Sequence, residues 1–202
     1  MDAERTRLLR ELLEGSGWVD RTREFAASLR RTSAGGLLLV GTPTDEPWHL
    51  AAHLDDESRL AGRPEISPVL VRWSVPPQAP PHLSVTLARL ETARRDETVF
   101  VVAPNAPPES LLQRMSDARR IGATILSIDD GNGDLDDLVH DRIVVPAVDE
   151  TLLVTHSSSP DVDIDTVQHL VSVAAGEGAT RANMRTRLAS FLERVSGPAA
   201  TR

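Results

Sequence analysis

The chain is expected to fold as a three-layer α/β/α domain: a five-stranded, parallel, doubly wound sheet covered by helices, with extra helices at both ends. Three observations predict this. Short apolar runs alternate with segments whose apolar residues recur at helical spacing. Those runs are apolar at consecutive positions, so both faces of each strand must be covered, as parallel sheets require. Finally, 202 residues suffice for one well-buried core and a few helices beyond it.

The elements follow in order. Residues 3–14 place Leu8, Leu9, Leu12 and Leu13 at helical spacing, and residues 18–31 repeat the pattern with Trp18, Phe25 and Leu29. Gly15-Ser16-Gly17 separates the two. The first strand is Leu37 to Val40, between Gly35-Gly36 and Gly41. A helix over about 46–60 leads to a strand from Val69 to Trp73. The proline-rich hinge Pro76 to Pro81 leads to a helix over about 82–95, then to Val99 to Val102. A helix from Pro107 to Ile121 ends at Gly122 and feeds Thr124 to Ile128. An acidic turn from Asp129 to Asp137 crosses to Ile143-Val144-Val145, and helices over about 164–175 and 180–195 close the chain. Residues 1–31 are expected to be helical and to contribute to an oligomer contact, 32–176 to form the domain, and 177–202 to be a helix and tail.

Composition excludes several chemistries. No cysteine is present, which removes disulfides, thiolate nucleophiles and cysteine–zinc sites. Every one of the 22 basic residues is arginine, so there is no lysine for a Schiff base or a P-loop. A net charge of −8 argues against nonspecific nucleic-acid binding. No stretch approaches the ~20 apolar residues of a membrane span, and Met1 to Glu14 lacks a secretory apolar core. A cytoplasmic location is expected, with neither nucleic acid nor membrane as partner.

The ordered set of elements and several local strings resemble the sugar isomerase (SIS) family, within it the phosphoheptose isomerase branch. The strings are Ala34 to Gly41, His49 to Leu54, Gly62-Arg63-Pro64, the ungapped stretch Glu97 to Ile128, and Leu135 to Leu138 followed by Asp141 to Pro146. The resemblance covers about residues 20–175. It implies a homodimer or homotetramer, and a sugar-phosphate-like ligand held at strand ends by two loops rich in hydroxyls and amides.

Both loops are rewritten here. A dianion needs several converging donors, and small residues let the backbone come close. In the first loop, Gly41-Thr42-Pro43-Thr44-Asp45-Glu46, Thr42 and Thr44 can still donate, but Pro43 lacks an amide proton and Asp45 and Glu46 repel phosphate. In the second, Ala103 to Pro108, no hydroxyl survives. Asn105 remains a donor and Ser110 lies further into the helix. Neither loop carries a compensating arginine. Thr42, Thr44, Asn105 and Ser110 are therefore the expected ligand-binding residues of a degenerate site.

His49 and His53 sit four apart on one helix, which aligns them on one side, and neutral imidazole suits zinc. The resemblance places metal ligands here: His49 matches the family's histidine, and His53 stands where its glutamate would be. His169, on the late helix beside Gln168, is the third candidate ligand, and Asp161, Asp163 or Asp165 can add a carboxylate. With such a metal polarising a sugar carbonyl, His53 or His169 would be the catalytic proton carrier.

Other signals are plainer. His140 is expected to be a solvated loop residue, and the acidic cluster Asp129 to Asp137 an exposed turn and helix start without EF-hand spacing. Trp18, Trp48 and Trp73 are expected to be core or interface anchors. The leading expectation is a non-catalytic SIS-like protein of the phosphosugar-binding type, a sensor or scaffold. The alternatives are a metal-dependent phosphosugar isomerase and a protein–protein interaction module.

Overall fold

The structure is a computed structural model that describes residues 17–146 and 162–177. The expected helices over 3–14 and 180–195 lie outside the described residues. Helix α1 spans Trp18–Thr32, strand β1 Leu37–Val40, helix α2 Trp48–Ala61 and strand β2 Pro68–Val71. A short helix α3 (Ala88–Glu91) precedes β3 (Thr98–Ala103). Then come α4 (Glu109–Ile121), β4 (Thr124–Asp129), β5 (Asp141–Val144) and α5 (Ile164–Gly176).

All five strands are parallel, in the order β2-β1-β3-β4-β5. The strand runs are apolar on both faces because each face meets its own helical layer. On one side Leu37, Leu39, Phe100, Val102, Leu126, Ile128 and Ile143 pack with Phe25, Leu29, Leu50, Leu54 and Val171 of α1, α2 and α5. On the other, Leu38, Val40, Val99, Val101 and Ile125 pack with Leu90 of α3 and Leu111, Met115 and Ala118 of α4. The expected three-layer parallel architecture is therefore present.

Helix α1, expected to serve subunit contact, is built into this core. Phe25, Ala26 and Leu29 are fully buried, and the Phe25 ring lies 5.3 Å from that of Phe100 on β3. Arg21 also pairs with Asp141 of β5, and Arg30 donates to the Ala174 carbonyl of α5 at 2.5 Å.

Two expectations are corrected. The helix over 82–95 is absent: a 3-10 turn spans Pro81–Leu83, and only Ala88–Glu91 is α-helical. The reason is that β-branched Val85 and Thr86 run alongside β2, where Arg72 N–H donates to the Val85 carbonyl at 2.8 Å and Arg72 bridges Thr86 in parallel. The acidic turn forms no helix, and Asp129 is buried rather than exposed. Asp129 accepts from the Ser127 hydroxyl at 2.6 Å and the Gly131 amide at 2.9 Å, and it pairs with Arg142. Hydrogen bonds and a guanidinium partner are what make burial of that carboxylate tolerable.

The order 2-1-3-4-5 leaves a switch point. From β1 the chain crosses to one side, to β2, and from β3 it crosses to the other, to β4. The loops after β1 and β3 therefore diverge and leave a crevice beyond the carboxyl ends of those strands.

Candidate functional site

A cavity of about 580 Å³ occupies that crevice. Its walls come from the loop after β1 (Pro43 to Pro47), the start of α2 (Trp48, His49), the stretch just past β2 (Arg72, Trp73, Ser74), β3 and its loop (Val102, Pro104), and α5 (Ile164, Asp165, Gln168).

The loop after β1 is tightly wound. The Thr42 and Asp45 backbones exchange N–H···O bonds of 3.2 Å in both directions. Gly41 begins the turn because the Asp45 carbonyl oxygen passes 2.0 Å from where a Cβ would stand. Trp73 ties this loop to β2 by donating its indole N–H to the Gly41 carbonyl at 2.8 Å.

The expected ligand-binding donors do gather, but around a carboxylate of the chain. The Thr44 hydroxyl donates to Asp45 Oδ2 at 2.6 Å. The Thr42 hydroxyl lies 3.3 Å from that oxygen, and Asn105 Nδ2 reaches it from the β3 loop at 3.4 Å. Thr42 is buried, whereas Thr44, Asp45 and Asn105 are exposed. Ser110 is exposed in the first turn of α4 and does not line the cavity.

The arginine that neither loop carries arrives from the residue that follows β2. Arg72 Nε donates to Glu46 Oε2 at 3.1 Å, and a terminal guanidinium nitrogen lies 3.0 Å from the same oxygen. The other Glu46 oxygen accepts the Trp73 backbone N–H at 2.9 Å. Both side chains of the pair are only 13% exposed. The guanidinium also stands 4.3 Å from the Trp48 ring, a cation–π contact. Trp48, expected to be a core or interface anchor, is thus a half-exposed wall of the cavity. Sequence reasoning missed Arg72, because only the placement of β2 beside β1 brings it to this loop.

The three candidate histidines meet where α2 packs on α5. Nε2 of His53 lies 3.0 Å from Nε2 of His49, and the two rings meet edge-on at 4.5 Å. The His53 ring lies 5.0 Å from that of His169, again edge-on. His49 is exposed and reaches the cavity, His53 is half-buried, and His169 is buried. Burial lowers the His53 pKa below the ordinary histidine value, and the neighbouring His49 adds to this. A depressed pKa keeps the imidazole neutral, the form that binds metal. Among the described residues, no group of three His, Cys, Asp or Glu side chains is arranged to hold a metal ion. The pair His49–His53 offers two nitrogens, and a zinc site asks for three or four ligands. Of the expected carboxylates, Asp165 lines the cavity, Asp163 caps α5 by accepting the Thr166 N–H at 2.7 Å, and Asp161 lies outside the described residues.

His140 is exposed as expected, but it is not a free loop residue. Its Nδ1 accepts the Ile125 N–H at 2.9 Å, next to the Arg119 guanidinium. Burial, and then Arg119, hold its pKa below the ordinary value.

No family model matches the sequence, and no curated protein is similar enough to match it. Solved structures do match. One is the sugar isomerase domain of an RpiR transcription factor from Sphaerobacter thermophilus, at 17% identity and TM-score 0.50, covering 92% of each chain. Another is c3406 of Escherichia coli CFT073, solved as a ligand complex, at 12% identity and TM-score 0.50, covering 93% of this chain and 100% of that one. The chain has the SIS fold. Among the described residues, no helix is long and apolar enough to cross a membrane.

Proposed function

We propose that this chain is a non-catalytic SIS-fold domain that binds a small polar ligand in the β1–β3 crevice and acts as a sensor or scaffold. The observation that carries this reading is the state of the cavity loops. Thr42, Thr44 and Asn105 converge on Asp45, and Arg72 is held by Glu46, so the groups that would grip a reacting sugar phosphate are engaged within the chain. Fold alone transmits no activity. The likeness to the domain of a transcription factor supports a sensing role, because there the same fold is part of a regulator. The test is to follow pentose and hexose phosphates with the purified protein by NMR. This reading expects no isomerisation, and turnover above the uncatalysed rate would overturn it.

The gathering of His49, His53 and His169 favours a second reading, the metal-dependent isomerase of the phosphoheptose type. A metal there would supply Lewis-acid polarisation of a carbonyl. His49 and His53 would hold it, and buried His169 would stand behind them. This reading requires stoichiometric zinc and loss of turnover in His49→Ala and His53→Ala.

As to assembly, the spacing of Leu8, Leu9, Leu12 and Leu13 in the sequence supports a homodimer or homotetramer, since apolar residues at helical spacing call for a surface to cover them. A cytoplasmic location belongs to the same proposal: a chain without cysteine draws no stability from an oxidising compartment.

A further inference from the structure

We infer that Asp45 and Glu46 are internal counter-anions that set the ligand class of the cavity: they occupy its oxyanion-recognising groups, so it excludes phosphate esters and takes a hydroxylated ligand that is uncharged or cationic. The inference deepens the binding-domain reading and rests on it.

Two independent constellations carry it. Beside the cavity, where Thr44 and Asp45 line its wall, three donors from two loops converge on a single oxygen, Asp45 Oδ2, the arrangement by which proteins hold an oxyanion. Here the oxyanion belongs to the chain, and it arrives from the same turn as two of its donors. Deeper in, the cavity's arginine makes two contacts to one Glu46 oxygen and lies against Trp48, which fixes its direction. Both carboxylates come from adjacent residues of one loop, so one loop conformation fills both positions together.

The charge lining the cavity points the same way. Among the described residues that line the cavity, three carboxylates, Asp45, Glu46 and Asp165, accompany one guanidinium, that of Arg72. A phosphate dianion entering this space must displace one carboxylate from its donors and still lie beside two others, with like-charge repulsion at each step. A hydroxylated ligand meets no such barrier. Its hydroxyls can donate to the Asp45, Glu46 or Asp165 oxygens, and a protonated amine would gain from the acidic lining.

The experiment uses the full chain and inorganic phosphate as probe, titrated at constant ionic strength and neutral pH, with binding read by calorimetry and by ³¹P line broadening. Expected is no saturable binding to the wild type. Asp45→Asn and the double variant Asp45→Asn/Glu46→Gln should bind phosphate saturably, about tenfold or more tighter than the weakest binding the titration detects, as loss of a like charge and release of donors predict. Adding Arg72→Gln to the double variant should abolish the gain. Saturable phosphate binding by the wild type, or no gain in a double variant whose circular dichroism matches the wild type, overturns the inference. Asp45 is exposed, so Asp45→Asn alone decides the matter if the double variant misfolds. Phosphate binding by the wild type without sugar-phosphate turnover defeats this inference only and leaves the binding-domain reading standing. Turnover defeats both.

Discussion

The carbonyl oxygen of Asp45 lies 2.0 Å from the position a Cβ on Gly41 would take, with the Pro47 ring 2.7 Å away on another side. Backbone cannot yield as a flexible side chain does, so any residue larger than glycine must unwind the turn. Gly41→Ala should cost about 2–3 kcal/mol, the upper part of the range for overpacked sites. Urea denaturation followed by Trp fluorescence measures it, and Trp73, which donates to Gly41, should report the displaced loop directly. A variant as stable as the wild type would mean that the turn is looser than this geometry.

The Arg72–Glu46 pair supports a second prediction. Removing one member of a largely buried pair leaves an uncompensated charge, and here the Trp73 N–H would lose its acceptor as well. Glu46→Ala should therefore destabilise by about 2–3 kcal/mol, whereas Glu46→Gln keeps an acceptor and should lose about half as much. Equal losses in chemical denaturation would show that charge, not the acceptor, dominates.

The contrast between strands and loops explains how much the sequence revealed. Leu37 to Val40 and Val99 to Val102 are legible as parallel strands because burial on both faces writes a continuous apolar run. The segment 82–95 misleads because Leu83, Leu87 and Leu90 keep helical spacing, while the pairing of Val85 and Thr86 along β2 is a tertiary choice. His49 and His53 can be paired from their spacing alone. The place of His169 needs the packing of α5 on α2, which the family resemblance supplies and the sequence pattern does not. Asp45 is legible as a charge hostile to phosphate, but not as the acceptor of its neighbours' hydroxyls, since composition says nothing about where a side chain turns.

The histidine cluster yields a third prediction. Among the described residues His49 and His53 alone present converging nitrogens, so protein purified without added metal should carry well under one zinc per chain by elemental analysis. Stoichiometric zinc that is lost in both His49→Ala and His53→Ala would instead establish the isomerase-type site.

Assembly can be tested without disturbing the core. Helix α1 contributes Phe25 and Leu29 to the interior, so a deletion reaching residue 31 would confuse folding with association. Deleting residues 1–16 alone removes the Leu8, Leu9, Leu12 and Leu13 stripe and leaves α1 intact. Light scattering should show the full chain as a dimer or tetramer and the shortened chain as a smaller species. An unchanged mass would place the contact elsewhere.

His53 and His140 together predict how stability responds to acid. Both have folded-state pKa values below the ordinary histidine value, His53 through burial and then His49, His140 through burial and then Arg119. The unfolded chain therefore binds protons first as the pH falls. Stability rises with pH wherever the unfolded state carries more protons, so the contribution of these two residues is fully present above the unfolded value of about 6.5. It is lost as the pH drops from there towards the lower folded values. Urea midpoints should accordingly hold steady above neutrality and decline through the weakly acidic range. In His140→Gln, which keeps a side-chain oxygen to accept the Ile125 N–H but does not titrate, the decline should be shallower. A profile identical to the wild type would mean that His140 protonates alike in both states and that its contact with Ile125 does not hold the ring neutral.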